Sequence, residues 1–334
     1  MRLQRQVLKL VGLAAAVLLF SSSVAVAKTF KMALGDAQGG TQWEMGTTFA
    51  ELFKQKTGGK HDVNLFPNGQ LGSEQDTVND AAIGTLDFSV LAINNITPFS
   101  PTVGLFTMPY VIQSLDEAVK LTQGEVGKEL VENTIRDAGV RILGWAYSGF
   151  RVLTNSKKPI TTPDDLQGVI IRVPKNEIMI ATYQAWGINP TPMAWSETFT
   201  ALQQKVVDGQ DNPYITVHAM KFNEVQKYVT NIRYIFSLEP LIVSESVFQS
   251  QSDDVKKAML DAGQEATAHS AKYLADTEEA IKNELVAKGM EISDPADGEK
   301  AWIEKATKEV WPKYYESIGG KEKLDRVLKM LGRG

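Results

Sequence analysis

The chain has 334 residues, 43% hydrophobic and 22% charged, with 40 acidic against 35 basic side chains and no cysteine. That is globular composition with room for two core-forming units, and it excludes a disulfide-stapled scaffold, a thiolate metal site and thiol catalysis. A formal charge of −5 without a basic stripe argues against a nucleic-acid partner.

Residues 1–27 read as a signal peptide. Arg2, Arg5 and Lys9 form a positive start, residues 10–20 an apolar run, and Ala25-Val26-Ala27 a small-x-small site. Cleavage is expected before Lys28, with the periplasm as the working compartment. The apolar run is shorter than the roughly 20 residues that cross a bilayer, so an uncleaved anchor is the weaker alternative. Beyond it, residues 29–34 predict a strand and 42–56 a helix, with Met45, Phe49, Leu52 and Phe53 at helical spacing. A strand over 61–66, a turn at Pro67-Asn68-Gly69, a helix opening at Ser73-Glu74 and a short strand over 86–91 follow. This alternation predicts an α/β lobe over 28–150, to which part of 241–334 returns.

The stretch 141–154 is extended and aromatic. Thr162 and Pro163 suit the cap and first position of a short helix over 161–168. A strand over 169–173 and helices over 175–186 and 196–205 make a second α/β unit, 151–240. Residues 250–288 predict one long helix bridging the two units. The end of the chain, 289–334, carries two more helical segments, around 299–311 and 321–331.

Catalytic signatures are missing. There is no G-x-S-x-G elbow, H-E-x-x-H pair, Walker loop or G-x-G-x-x-G, and His61, His218 and His269 fall in three different elements. No catalytic residue, metal or cofactor is therefore expected, and enzyme is the weaker reading. Binding is the stronger one, and it rests on a few polar side chains in unusual places. Arg172 ends the apolar run Val169-Ile170-Ile171, where open α/β sheets present their ligand crevice; it meets either a ligand anion or an internal acid. Arg151 follows an aromatic run and is either a cleft residue or a surface one. Asn212, in a polar loop, either bonds a ligand or caps the next helix. Trp195 is a pocket wall or plain core. Glu74, in a first helical turn, faces a ligand donor or simply complements the helix dipole.

Taken in order, Phe66-Pro67-Asn68-Gly69-Gln70-Leu71-Gly72-Ser73-Glu74, Thr162-Pro163-Asp164-Asp165-Leu166-Gln167-Gly168 with Ile171-Arg172-Val173-Pro174, Trp186-Gly187-Ile188-Asn189-Pro190, and the run from Ala201 to Pro213 resemble one family. It is the solute-binding component of tripartite ATP-independent periplasmic (TRAP) transporters, the DctP-like proteins, and the likeness covers nearly all of the chain after residue 27. The resemblance implies a two-lobed α/β binding-protein fold with crossing strands and a long helix across both lobes. It also implies a small organic anion clamped by Arg172, with Arg151 and Asn212 in the same cleft and Trp195, Glu74, Gln38 and Trp43 as wall residues. A carboxylate is the expected ligand, with a compact sulfonate such as isethionate as the alternative. Delivery to small DctQ-like and large DctM-like membrane subunits, by a monomer, is the implied task. A sensing module for a signalling receptor, or a hydrolase or lyase acting on an acidic substrate, are the competing readings. Two positions depart from the family pattern: Lys205 stands where a glycine is common, and Tyr234 replaces a frequent histidine, a change expected to alter the cleft wall.

Overall fold

The structure, a computed structural model, describes residues 27–333; apart from Ala27, the expected signal segment lies outside them. The first lobe opens with β1 (Lys28–Leu34), α1 (Thr41–Lys56), β2 (His61–Phe66), α2 (Glu74–Ala82) and β3 (Phe88–Val90). Helices α3 (Leu115–Gln123) and α4 (Glu125–Ala138) lead to β4 (Val140–Phe150). The chain then crosses to β5 (Val152–Asn155), β6 (Arg172–Val173), α5 (Glu177–Ala185), β7 (Thr191–Pro192), α6 (Trp195–Gln203), β8 (Gly209–Asn212), α7 (Tyr214–Ala219) and β9 (Tyr228–Thr230). It returns along β10 (Phe236–Ser244) and ends with α8 (Glu245–Gln249), α9 (Asp253–Ala287), β11 (Glu291–Ser293), α10 (Lys300–Tyr314) and α11 (Lys321–Met330).

Two sheets result. One has the order β2-β1-β3-β10-β4, with β10 antiparallel to both neighbours; the other runs β11-β9-β5-β8. The parallel pair β6–β7 joins the second sheet through a bridge between Ile171 and Gly209. Each lobe has an apolar filling of its own. Phe30, Phe49, Phe53 and Phe88 interlock under the first sheet, and Tyr183, Trp186, Tyr234 and Trp302 under the second.

Two strands connect the lobes, and they are bonded to each other at the crossing. Phe236 faces Phe150, and Arg151 N donates to Ile235 O (2.9 Å). Helix α9 lies across them, about 50 Å long at 1.5 Å per residue. Its first half sits unusually close to β4. Thr267 Oγ1 and Ser270 Oγ accept from Trp145 N (2.8 Å) and Tyr147 N (2.9 Å), and a Cβ on Gly263 would stand 2.3 Å from Leu143 O.

Three expectations need correction. The strand over 169–173 shrinks to Arg172–Val173 because Asp208 takes over the bonding of Ile170: Ile170 N donates to Asp208 Oδ2 (2.8 Å) and Ile170 O accepts from Asp208 N (2.7 Å). The polar run around Asn212 is a strand rather than a loop; its side chains find buried partners, as when Gln210 Nε2 donates to Thr154 Oγ1 (2.9 Å). The long helix starts at Asp253, and α8 before it is separate.

The close approach of α9 to β4 sets a stability test. Gly263→Ala forces the helix off the strand and is expected to cost about 1–3 kcal/mol, read as a lower urea midpoint. An unchanged midpoint would show that the helix lifts freely and is not seated by this contact.

Candidate functional site

The two lobes enclose a cavity at the crossing, with about 310 Å³ of space unfilled by atoms. The first lobe contributes Asp36, Gln42, Glu74, Ala92, Asn94, Asn95 and Glu239; Arg151 stands at the crossing; the second lobe adds Arg172, Pro174, Trp195, Asn212 and Thr216.

Arg172 is 2% exposed. Its Nε and Nη2 both donate to Met193 O (3.1 and 2.7 Å), and its guanidinium lies 5.6 Å from the centre of the Trp195 ring. Among the described residues no carboxylate stands within ion-pair distance of it. Burial, with the neighbouring Arg151 charge, pulls Arg172 down to about 10. A buried cation held by one carbonyl is expensive unless an anion joins it.

Arg151 differs. Its Nη2 donates to both Asp211 O and Asp211 Oδ1 (3.1 Å), and Tyr234 Oη donates to Asp211 Oδ2. Burial works against the Arg151 charge, but the Asp211 carboxylate together with Tyr234 and Tyr183 holds the guanidinium above its ordinary value. The internal ion pair left open for Arg172 is not formed there; it is formed by Arg151, which is 2% exposed and so is not the surface arginine that was its alternative.

The opposite wall is acidic. Gln42 organises it: Oε1 accepts from Gly35 N (2.6 Å) and Asp36 N (3.1 Å), and Nε2 donates to Glu74 Oε1 (2.7 Å). Glu74 also accepts from Ala92 N (3.1 Å) and from Asn95 Nδ2. Burial, then the Glu74 charge, pushes Asp36 up to about 7, and burial raises Glu74 and Glu239 as well. Six polar atoms of the lining residues have no partner: Asp36 Oδ2, Asn94 Nδ2, Arg151 Nε, Trp195 Nε1, Thr216 Oγ1 and Glu239 Oε2. Unmet buried polar groups cost about 1–3 kcal/mol each, so their concentration in one cavity marks a place for a polar ligand.

The cavity thus gathers Arg172, Arg151, Asn212, Trp195 and Glu74. Asn212 does not cap α7, whose cap position is Pro213; its Nδ2 donates to Gln210 Oε1 (2.6 Å). Gln38 is exposed on its loop and Trp43 packs against the first-lobe core; neither lines the cavity. Tyr234 is buried behind Arg151 rather than in the wall, and reaches the cavity only through Asp211. Sequence reasoning missed Asp36, Gln42, Asn94, Asn95, Thr216 and Glu239. Only Asp36, an acid in the loop after an opening strand, had a local signal.

Comparison with known proteins gives the family. A solute-binding protein of Roseobacter denitrificans is 34% identical over 286 residues, covering 84% of this chain and 87% of the relative. Among solved structures, a TRAP periplasmic solute-binding protein of Roseobacter denitrificans with bound L-galactonate gives a TM-score of 0.84 at 31% identity, covering 90% of this chain and 98% of the other. An apo, open TRAP periplasmic solute-binding protein of Rhodobacter sphaeroides gives 0.74 at 38% identity, covering 91% and 98%. The profile for bacterial extracellular solute-binding protein, family 7 (DctP), matches residues 36–318, and the chain belongs to that family of solute-binding proteins rather than to the enzymes.

Proposed function

We propose that this chain is the periplasmic solute-binding subunit of a TRAP transporter and captures a small hydroxylated monocarboxylate between its lobes. The single observation behind this reading is Arg172, buried and lacking an anionic partner while the neighbouring Arg151 has one in Asp211. A carboxylate on its free edge gains charge-assisted hydrogen bonds, and Trp195 covers the pair from one side. The acidic wall of Asp36, Glu74 and Glu239 suits hydroxyl donors at the other end of the ligand and repels a second carboxylate. L-galactonate, bound by the Roseobacter relative, has this division into an anionic head and a hydroxyl-rich tail. A sulfonate suits the arginine equally well and belongs among the compounds tested. Cleavage before Lys28 and delivery of the cargo to DctQ-like and DctM-like membrane subunits complete the proposal.

The test is a thermal-shift panel on the chain from Lys28 onward, with aldonates, uronates, hydroxy acids, dicarboxylates and sulfonates, followed by calorimetry. A ligand at 100 times its Kd adds ~2.7 kcal/mol. Hydroxylated monocarboxylates are expected to bind and unsubstituted dicarboxylates to bind more weakly. Arg172→Ala is expected to weaken the best ligand by roughly 30-fold to several thousandfold. A loss under threefold with the fold intact removes Arg172 from the clamp.

Asp36 adds a pH dependence. Its folded value lies above its unfolded one, so its contribution to stability is fullest at low pH and withdrawn as pH rises through about 7. A bound anion pushes Asp36 further toward the protonated form. Binding therefore takes up protons, and affinity falls as pH rises through about 7. Calorimetry between about pH 5 and 9 reads the slope, and Asp36→Asn is expected to remove most of it. An unaltered slope in that variant would assign the proton to another group.

A further inference from the structure

Asn176 performs two tasks with one side chain. Its Oδ1 accepts from Met179 N (3.0 Å), capping α5 in the second lobe. Its Nδ2 reaches across the cleft to the first lobe and donates to Asn94 O (3.1 Å) and Thr97 Oγ1 (2.7 Å). Thr97 Oγ1 in turn donates to Asn94 O (2.7 Å), closing a triangle around one carbonyl. Asn176 is 2% exposed and its bond to Asn94 O is buried, so that bond is worth more than a surface contact; the bond to Thr97 is part-buried. The other cross-lobe polar contact in this region, Gln75 Nε2 to Lys175 O (3.2 Å), is exposed.

The grip falls on a residue of the ligand cavity. Asn94 lines that cavity, is 4% exposed, and its Nδ2 has no partner. The turn that carries it, a 3-10 helix over Ile93–Asn95, is pinned to the acidic wall, since Ala92 N and Asn95 Nδ2 both donate to Glu74. On the facing side Asn176 lies four residues after Arg172 in one short segment, with Pro174, another wall residue, between them. Proline restricts φ and limits how far the two ends of that segment can move apart.

We infer that Asn94 is a ligand-contacting residue, and that Asn176 is a positioning residue that latches the lobes by gripping the same Asn94 through its carbonyl, so that occupancy and closure are read at one amino acid. The inference rests on the binding-protein reading above. A ligand bonded to Asn94 Nδ2 fixes the turn in the place where its carbonyl meets Asn176. Closure, conversely, holds the amide against the ligand. Ligand release then requires the latch to break.

Two substitutions separate the halves. Asn176→Asp retains an oxygen for Met179 N and keeps the cap, but loses the Nδ2 donor and sets a carboxylate against Asn94 O. Asn94→Ala keeps the gripped carbonyl and loses only the amide. Because the chain has no cysteine, Gln75→Cys with Lys175→Cys gives a unique pair whose cross-linking by a short bismaleimide reports how often the ligand-free lobes shut. In that background Asn176→Asp is expected to slow cross-linking about tenfold, while Asn94→Ala does not slow it; two hydrogen bonds at ~1 kcal/mol each allow up to about thirtyfold.

With L-galactonate as the probe, Asn176→Asp is expected to raise Kd about tenfold, chiefly through a faster off-rate. Asn94→Ala is expected to raise Kd by a similar factor, and urea midpoints of both variants to match the parent. An unchanged cross-linking rate in Asn176→Asp overturns the latch, whatever the ligand. An unchanged Kd in Asn94→Ala overturns the ligand contact. If the parent binds neither L-galactonate nor any acid of the panel, the function proposed above fails with the Asn94 contact, and the ligand-free cross-linking still decides the latch.

Discussion

The site depends on an asymmetry between two buried arginines. Arg151 and Arg172, both buried, repel one another, and the fold neutralises only one. Asp211, held by Tyr234, takes Arg151; Arg172 is left with a backbone carbonyl and an aromatic face. The surplus charge sits on the second lobe and the acids that balance it at a distance sit on the first. Bringing the lobes together around an anion relieves both walls at once, whereas closing them empty leaves six polar atoms without partners. The same groups that define the ligand thus make the empty closed form costly, which is what a carrier with two states requires.

The fold was legible in the sequence wherever periodicity and punctuation agreed. Thr162, Pro163 and Asp165 form the expected capped turn, with Asp165 Oδ2 accepting from Thr162 N (2.9 Å). Residues 250–288 held a helix. Lys205, noted as standing where the family often has glycine, has φ of 58°, the left-handed conformation that glycine adopts freely. Legibility failed where polar side chains are buried. The run Gly209–Asn212 looks like a loop because nothing in it is apolar; it is a strand because its polar groups find one another.

The site was less legible than the fold, for a related reason. Arg172 stands out because it interrupts an apolar run. Glu239 lies in a strand buried along its whole length, and a glutamate between Leu238 and Pro240 carries no local sign of the cavity it faces. Asn94 belongs to a stretch with neither helical nor alternating pattern. Gln38 and Trp43 failed in the opposite sense: Gln38 is exposed on the loop before α1, and Trp43 is one step along the helix from Gln42, the residue that does reach Glu74, a step that turns a side chain by about 100°. Neighbourhood in sequence placed them near the cleft without placing them in it.

The long helix α9 has a mechanical consequence. Its first half is seated on β4 at backbone distance, through Gly144 and Gly263, with side-chain bonds to the strand's amides. Its second half meets the other lobe through α7 and a solvent-exposed pair, His218 with Glu284 (2.9 Å). That half also buries Leu274, Ile281 and Leu285 in one apolar cluster with Ile215 and Val217 of α7, and after Ala287 the chain enters β11 of the second sheet within four residues. Helix α9 is thus gripped by both lobes, and parting them strains a spine that neither releases, so the cleft opens against the helix as well as against the contacts at its mouth.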